Sequence, residues 1–563
     1  MTDPTEQEET TPKPEIGRSR ELAVMALLLL LTAAVRAFIV WRTDCVSKDS
    51  TAFLNMAQYL RDRDFATFFE SAQHHLFPLV LFMVQEVIGT SLFAAHVFNI
   101  VLGTVTLIPF YLLARDVFGV KSAMAASLFF AFHVVIARSA AAVATEPLYL
   151  LTFLSALYMG KRAIDTGEML RFVLAGFLLG LAFMARVEGI GLWMILGGWA
   201  ALLGVLKSVS RLILRREYDP SGPRLLAGLV VMTLAACVTI VPHLLEVRFA
   251  EDWNPTWRLS RKHSIGEFAR GEQVLSPSAP APAAPQAGGG RMEHLASCLE
   301  ELSKEGLWAY HLPSTLALFY LLGVICRRSH RREMLGELIL ASVALAYLAA
   351  AFLLVKVHGR LSERHFISSA AVALMWAGPG FLAARDLIAR LIARWDKLER
   401  SPARVTAVVL MIVTLASMSA KTLRAIGWKK VYLRELGLQL REEYPPEPGK
   451  RTRVMASGLP RIIFYGEGQW LSMRVPLGKT KRAPEDAFKM IVDYGRKKRA
   501  ALLMLCPEEF GGYDAELQSL LAKKGIGPAF TLQCKRGKVK GTLCFYRYQD
   551  LPPRPPGGDA KAT

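Results

Sequence analysis

The chain reads as a polytopic α-helical membrane protein with a small α/β domain at its C-terminal end. Three observations predict this. Of its 563 residues, 52% are hydrophobic and only 21% charged, with a mean hydropathy of +0.29. The apolar residues fall in long uninterrupted runs, and about 20 of them suffice to cross a bilayer as a helix. Beyond Lys421 the pattern changes to short apolar segments separated by turns. Only helices and closed barrels satisfy backbone polar groups in lipid, and runs of this length are helical. The composition excludes a soluble enzyme, a disordered chain and a secreted disulfide scaffold.

Residues 1–20 are polar, acidic and rich in Pro and Thr, which predicts a disordered cytoplasmic tail. The run Leu22–Trp41 follows Arg18 and Arg20 and reads as an uncleaved anchor with its N-terminus inside. Basic clusters then recur at Arg115–Lys121, Lys161–Arg171, Lys207–Arg224, Arg327–Arg332 and Arg385–Arg404. The positive-inside rule puts all five in the cytoplasm. It predicts further spans near 91–114, 122–138, 147–160, 172–185, 189–206, 225–245, 311–325, 337–355, 367–384 and 404–420, about 11 crossings in all.

That parity makes 42–90 an outer loop, within which Leu76–Ile88 is apolar but too short to cross. It reads as an interfacial or re-entrant helix. A second outer loop, 246–310, holds the low-complexity tract SPSAPAPAAPQAGGG. The membrane domain is therefore expected over 21–420, in the inner or plasma membrane, with the C-terminus outside.

Residues 421–550 are expected to form the soluble extracytoplasmic domain. RVMASGLPRIIFYG reads as strand and turn, 484–499 as an amphipathic helix and AALLMLC as a buried strand. Residues 514–524 read as a helix and FTLQCKRGKVKGTLCFYRY as a hairpin, before a Pro-rich tail at 551–563. The net charge is +20, and from Lys421 onward 28 Lys and Arg face 14 Asp and Glu, so +14 of it lies in this quarter. A solvated basic surface and a surface that meets anionic headgroups or an acidic glycan both fit. The seven cysteines form no Cys-x-x-Cys pair, which argues against a zinc or iron–sulfur site. Cys534 and Cys544 flank the expected hairpin turn, where a disulfide and two thiols are both open readings.

With this topology the ionisable residues in or beside the helices collect on the outer face. They are Arg36, Asp44 and Asp49, His74 and His75, Arg138 and Glu146, Arg186 and Glu188, and the stretch with Lys356, Arg360, Arg364 and His365. Such groups are costly near lipid and mark function by default. Singly, each has a structural reading: Arg36 snorkelling to headgroups, Arg186 pairing with Glu188, the 356–365 stretch as a solvated loop. Six segments converging on one face is the stronger signal. Cations with a few carboxylates suit a lipid-linked phosphate and a proton-accepting base.

The order of the pieces carries a resemblance. RAFIVWRTDCVSKDSTAFLNMAQYL, HHLFPLVLFMVQEVIG, the helix pair from LIPFYLLARDVFG to EPLYLLTFLSALY, GFLLGLAFMARVEGIGL and RLSERHFISSAAVAL resemble, in that order, the GT-C glycosyltransferases that use polyprenyl-phosphate sugars. The branch they look most like holds protein O-mannosyltransferases and the lipid A aminoarabinose transferase. The resemblance covers about 21–420, and FYGEGQW with the pattern after it looks like the family's appended domain.

The resemblance implies an inverting single displacement at the sugar C1, from a polyprenyl (undecaprenyl) phosphate to an acceptor hydroxyl, with an acidic residue of the first outer loop as general base. Asp49 stands there, with Asp44 as fallback. The family's common Asp-Glu pair is Asp49-Ser50 here. Glu146 matches a second acidic residue. His75, Arg186 and Arg364 match cations that contact the donor phosphate, with Arg36 and Arg138 as lesser candidates. His74, Glu188, Lys356, Arg360 and His365 are secondary. With Ser50 in place of Glu, no obligatory divalent metal is expected. The implied partners are the lipid-linked donor, a lipid, glycan or protein acceptor and the membrane, with no nucleic acid. An oligosaccharide-transferring relative, a transporter or lipid flippase with an outer regulatory domain, and a lipid-linked-glycan binder without activity are the alternatives. A transporter predicts internal repeats and midplane polar breaks, and the sequence has charges at one face and no repeat.

Overall fold

The structure is a computed structural model that describes residues 17–70, 74–90, 92–214, 221–249, 291–310, 316–325, 333–358, 362–395, 402–426, 430–446, 452–456, 460–472, 500–505, 519, 526–534 and 541–548. Its helices in chain order begin with α1 (Arg18–Trp41), α2 (Lys48–Arg61), α3 (Phe65–Glu70), α4 (Leu76–Ile88), α5 (Leu92–Val105) and α6 (Leu107–Phe118). Next come α7 (Val120–Phe132), α8 (Val134–Ala141), α9 (Glu146–Thr166), α10 (Met169–Ala185), α11 (Gly189–Leu214) and α12 (Ser221–Phe249). Then follow α13 (Arg291–Ala309), α14 (Leu316–Ile325), α15 (Glu333–His358), a 3-10 turn at Glu363–Phe366, α16 (Ile367–Trp395) and α17 (Pro402–Thr422).

Among the described residues, seven segments are long and apolar enough to cross a membrane: Arg18–Trp41, Leu92–Phe118, Gly189–Val209, Ser221–Val241, Met334–Lys356, Glu363–Ile392 and Ala403–Thr422. α7 and α8 form an eighth if counted as one span bent by 52° at His133. The other expected spans fall on α9, α10 and α14, so a helix occupies each of the eleven predicted places. α10 and α14 have 17 and 10 residues, and α9 carries the charged end KRAID, which is why they fail a length-and-composition test. Helix α1 begins at Arg18, so the last residues of the expected tail are helical.

Close helix contact rests on small residues, as expected where lipid supplies no hydrophobic drive. A Cβ on Gly176 of α10 would lie 2.1 Å from the Met232 carbonyl oxygen of α12, and one on Gly323 of α14 would lie 2.0 Å from that of Trp376 in α16. The buried faces carry Phe110, Phe129, Phe130, Phe153 and Phe319, while Leu30, Val238, Leu345 and Ile412 stay exposed on the outside of the bundle, as a lipid-facing surface requires. Helix α4 buries Phe77, Leu81 and Gln85 and exposes Met83 and Val87. A helix of 13 residues thus occupies the place of the short apolar run.

The C-terminal domain consists of α18 (Val431–Glu443), β1 (Arg453–Ala456), α19 (Pro460–Tyr465), β2 (Gln469–Ser472), β3 (Leu502–Leu505), β4 (Ile526–Cys534) and β5 (Gly541–Tyr548). The sheet order is β2-β1-β3-β5-β4, with β1 parallel to β2 and β3, and β5 antiparallel to β3 and β4. The expected buried strand and terminal hairpin are β3 and β4–β5. RVMASGLPRIIFYG holds a strand and a helix rather than strand and turn, because Pro460 opens a helical turn whose Ile462 and Ile463 pack on the domain core. Residues 484–499 lie outside the described residues, as do 514–524 apart from residue 519. Cys534 pairs with Gly541 and Cys544 with Thr531. Three ladder positions, about 10 Å, thus separate the cysteines, too far for a disulfide.

Candidate active site

Four segments meet at one end of the bundle. Helix α2 begins there, and Ser47 caps it by accepting the Ser50 N–H at 3.0 Å, which sets Asp49 in the first turn. Helix α9 begins there with Glu146. Helix α10 ends there at Arg186, whose extended backbone turns the chain through Val187 and Glu188 into α11. The 3-10 turn before α16 supplies Arg364.

Glu146 is the floor of the site, with a side chain 2% exposed. Its Oε1 accepts from Arg186 Nη1 at 2.9 Å and lies 3.6 Å from Arg364 Nη1. Its Oε2 is buried and has no hydrogen-bond partner. Arg186 donates its other nitrogen to Glu188 Oε1 at 2.8 Å, and its guanidinium stacks 5.8 Å above the Tyr149 ring. Arg364 also donates to Asp49 Oδ2. Asp49 and Arg364 are the accessible end of this chain of charges, at 34% and 49% exposure. Burial opposes the charged form of Glu188, yet the Arg186 guanidinium overrides it and holds the carboxyl down to about 2. The resulting order is Asp49, Arg364, Glu146, Arg186, Glu188: three carboxylates alternating with two guanidinium groups, a net charge of −1 when all are ionised.

The turn that delivers Glu146 is held from three sides. Ser50 donates its hydroxyl to the Ala142 carbonyl, tying α2 to this turn. Asn99 of α5 donates to the Ala144 carbonyl at 3.3 Å. Thr106 reaches the Pro147 carbonyl at 3.5 Å. Between them Val143 sits at φ 47°, a left-handed conformation that a β-branched residue adopts only when its surroundings impose it.

The other expected residues are placed as follows. His74 lies within electrostatic reach of Glu188. His75 Nε2 lies 3.2 Å from the Phe68 carbonyl oxygen, and its ring packs on Phe68 and Phe69. His365 Nδ1 accepts the Ser362 N–H at 3.2 Å and caps its own turn. Arg138 donates to the carbonyls of Lys421 and Arg424 at 3.0 and 2.8 Å, fixing the end of α17. Lys356 is exposed on the last turn of α15, and Arg360 lies outside the described residues. The Asp44 N–H donates to the Ile426 carbonyl at 3.1 Å.

Arg36 is not a snorkelling residue. It is 0% exposed, with Nη1 donating to the Thr32 carbonyl at 3.1 Å and its guanidinium 5.9 Å from the Phe130 ring centre. Its Nε and Nη2 have no partner. It fits because Gly103 lacks a side chain: a Cβ there would lie 2.7 Å from Arg36 Nε.

Several site residues are invisible in the linear pattern. Tyr347 of α15 donates to the Glu188 carbonyl at 2.6 Å, and Tyr149 and Ser368 share a hydrogen bond of 2.9 Å beneath Arg186. Lys421 holds Glu363, the neighbour of Arg364, at 2.7 Å. Of these only Tyr149 had a signal, standing three residues after Glu146 on the same helix face. Among the described residues no group of three or more His, Cys, Asp and Glu is arranged to hold a metal ion.

Comparison with known proteins gives the fold. Residues 75–240 match the profile of the dolichyl-phosphate-mannose-protein mannosyltransferase family, a segment that contains Glu146, Arg186 and Glu188. The chain is similar to ArnT from Cupriavidus metallidurans bound to undecaprenyl phosphate, at 13% identity and a TM-score of 0.56, over 95% of this chain and 99% of that one. It is similar to the oligosaccharyltransferase of Archaeoglobus fulgidus tethered to an acceptor peptide, at 14% identity and a TM-score of 0.52, over 95% of this chain and 74% of that one. No curated protein matches the chain by sequence. The chain has the GT-C fold of multi-pass membrane glycosyltransferases.

Proposed function

We propose that the chain is an integral-membrane glycosyltransferase that moves a sugar from a polyprenyl phosphate, undecaprenyl phosphate in the first instance, to an acceptor hydroxyl on the extracytoplasmic face. The observation that carries this reading is the alternating chain Asp49–Arg364–Glu146–Arg186–Glu188 at one end of a GT-C bundle, accessible at its Asp49–Arg364 end.

In this reading Asp49 is the base. The acceptor oxygen bonds to the sugar C1 while the C1–O bond to phosphate breaks. The electron pair of that bond stays on the phosphate oxygen, and the acceptor proton passes to the Asp49 carboxylate. The product sugar is inverted at C1, and polyprenyl phosphate leaves with one more negative charge than it carried as the sugar ester. Arg364 and Arg186 bear that charge. Glu146 is too buried to meet an acceptor and instead orients both guanidinium groups. Each of the three carboxylates is held by a guanidinium, and in this reading no divalent metal is assigned a role. In this reading the N-terminus lies in the cytoplasm and the site faces outward; the C-terminal domain packs at the same end of the bundle as the site, so the two share a side.

The test is sugar transfer by purified wild type and Asp49→Asn, with a panel of undecaprenyl-phosphate sugars and a cell-envelope extract as acceptor source. Release of undecaprenyl phosphate coupled to labelled product, lost in the variant while donor binding persists, is the expected result. Transfer that survives Asp49→Asn moves the base to Asp44. No transfer from any donor by folded wild type overturns the reading.

A further inference from the structure

The C-terminal domain does not merely sit beside the membrane helices; it grips the segment that carries Asp49 at both ends. On the upstream side, Cys45 and Val46 are buried at 1% and 4% exposure, immediately before the Ser47 cap of α2. Both polar groups of the Val46 backbone are taken by α19. Its N–H donates to Tyr465 Oη at 3.0 Å, and its carbonyl accepts from Arg461 Nε at 2.6 Å. Arg461 and Tyr465 are four residues apart and therefore share one face of their helix. On the downstream side, Arg453 at the start of β1 donates to Asp64 Oδ2 at 3.1 Å. The other oxygen of Asp64 caps α3 by accepting the Thr67 N–H at 3.2 Å.

The gripping surface is itself stiff. Helix α19 packs on α18 through Gly437, where a Cβ would lie 2.5 Å from that of Tyr465, and through Gly466, where one would lie 2.7 Å from Leu440. The two helices can therefore meet at backbone distance, and Ile462, Ile463, Leu436 and Leu440 close the core beneath them. A side chain on such a close-packed support has little room to shift. Val46 is three residues from Asp49 and one from its helix cap, so displacement of Val46 moves the start of α2 as a unit.

We infer that the C-terminal domain is a positioning element of the active site: Arg461 and Tyr465, through Val46, and Arg453, through Asp64, fix the helix that presents Asp49 to Arg364. This rests on the glycosyltransferase reading for its catalytic consequence. Its mechanical content does not, since the grip on residues 44–64 exists whatever the chain transfers. Arg461, Tyr465 and Arg453 touch no reacting atom in this arrangement. They act on the placement of the base, where an error near 1 Å costs about a hundredfold in rate.

The experiment uses the full-length protein in nanodiscs, with Tyr465→Phe, Arg461→Gln, Arg461→Lys and Arg453→Gln. Amide hydrogen exchange is followed over residues 44–64 alongside kcat and donor KM. Tyr465→Phe keeps the ring and its packing, so it separates loss of the Val46 bond from loss of the fold. We expect exchange at Val46 and through the first turn of α2 to rise at least tenfold in Tyr465→Phe and Arg461→Gln. We expect kcat to fall about 10- to 100-fold with donor KM within twofold of wild type, and Arg461→Lys to recover part of both. Exchange that stays at the wild-type level in Tyr465→Phe and Arg461→Gln overturns the positioning role. So does exchange that rises with kcat unchanged. A fall in kcat matched by a rise in donor KM makes Arg461 and Tyr465 donor-binding residues and also overturns it. If wild type transfers nothing, the glycosyltransferase reading fails on its own, and the exchange result decides whether the domain positions this segment.

Discussion

Arg364 donates to the Asp49 carboxylate and stands 3.6 Å from Glu146 Oε1, so one guanidinium bridges two carboxylates carried by separate helices. The two carboxylates stand in different settings. Glu146 is buried and keeps Arg186 whatever Arg364 does, whereas Asp49 is a third exposed and has Arg364 as its partner in the cluster. A donor phosphate that draws Arg364 toward itself leaves Asp49 with an unshared charge, which is the form a general base needs.

Replacement of Arg364 by Lys tests this sharing. A point-charge ammonium does not reproduce the planar fork, and an Arg-to-Lys exchange at a bridging site is not conservative. We expect the Arg364→Lys protein to fold and to lose about tenfold or more in kcat/KM for the donor, as measured by steady-state transfer. Full activity would remove the guanidinium fork from the mechanism.

Glu146 is the partner whose removal costs stability. Breaking a buried pair by deleting one charge leaves the other uncompensated, at about 3–5 kcal/mol. Glu188 still holds Arg186 in the variant, so the lower end of that range applies. We expect Glu146→Gln to lower the apparent Tm in detergent by several degrees, and Asp49→Asn, at the exposed end, to leave it nearly unchanged.

The helical part of this fold is legible in sequence because each span repeats one physical requirement, and all eleven predicted places hold a helix. Asp49, Glu146, Arg186, Glu188 and Arg364 are legible for a related reason: charge beside a span is costly, so its presence calls for explanation. What lies beyond the linear pattern is pairing across elements. Nothing local in α15 marks Tyr347 as the donor to the Glu188 carbonyl, and nothing near Val46 marks Tyr465 as its acceptor 419 residues away. The burial of Arg36 is equally hidden from the linear pattern, because the room for its guanidinium depends on an absent side chain at Gly103, on another helix.

Ser50 links the two acidic elements. Its hydroxyl donates to the Ala142 carbonyl and lies 2.7 Å from the Ser47 hydroxyl, with Ser50 itself fully buried. Removing the hydroxyl leaves a part-buried carbonyl without that donor, at about 1 kcal/mol, the low end of the cost of an unpaired group. We expect Ser50→Ala to lower stability by roughly that amount. Exchange should also rise at the turn 142–145. A Ser50→Ala protein as stable as wild type would show that the strained turn at Val143 is held by Asn99, Thr106 and packing without the Ser50 hydroxyl.

Acid dependence follows from Glu188. Its folded carboxyl is depressed to about 2, burial raising it and Arg186 lowering it further, against an ordinary value of about 4.3. A depressed carboxyl contributes stability that is complete above its unfolded pKa and disappears as pH falls through the folded one. The Arg186–Glu188 tie is therefore intact at pH 7 and 5 and lost between about pH 4 and 2. Thermal unfolding across that window should be less pH-dependent in Glu188→Gln than in wild type; identical acid limbs would remove Glu188 from the coupling.

Gly103 and Arg36 make a coupled pair. A methyl group on Gly103 meets Arg36 Nε at 2.7 Å and the Ala140 Cβ at 2.8 Å, and all three sit in the buried contact between α1, α5 and α8. Overpacking of this kind costs about 1–3 kcal/mol. Arg36 is a long side chain with two unpartnered nitrogens, so it yields more readily than the Ala140 backbone. The cost of Gly103→Ala should therefore shrink, without vanishing, when Arg36 is replaced by Ala. A double-mutant cycle on apparent stability should give a coupling of about 0.5–3 kcal/mol, the range for residues in contact. Strict additivity would mean that the clash with Ala140 alone sets the cost and that the guanidinium does not rest against Gly103.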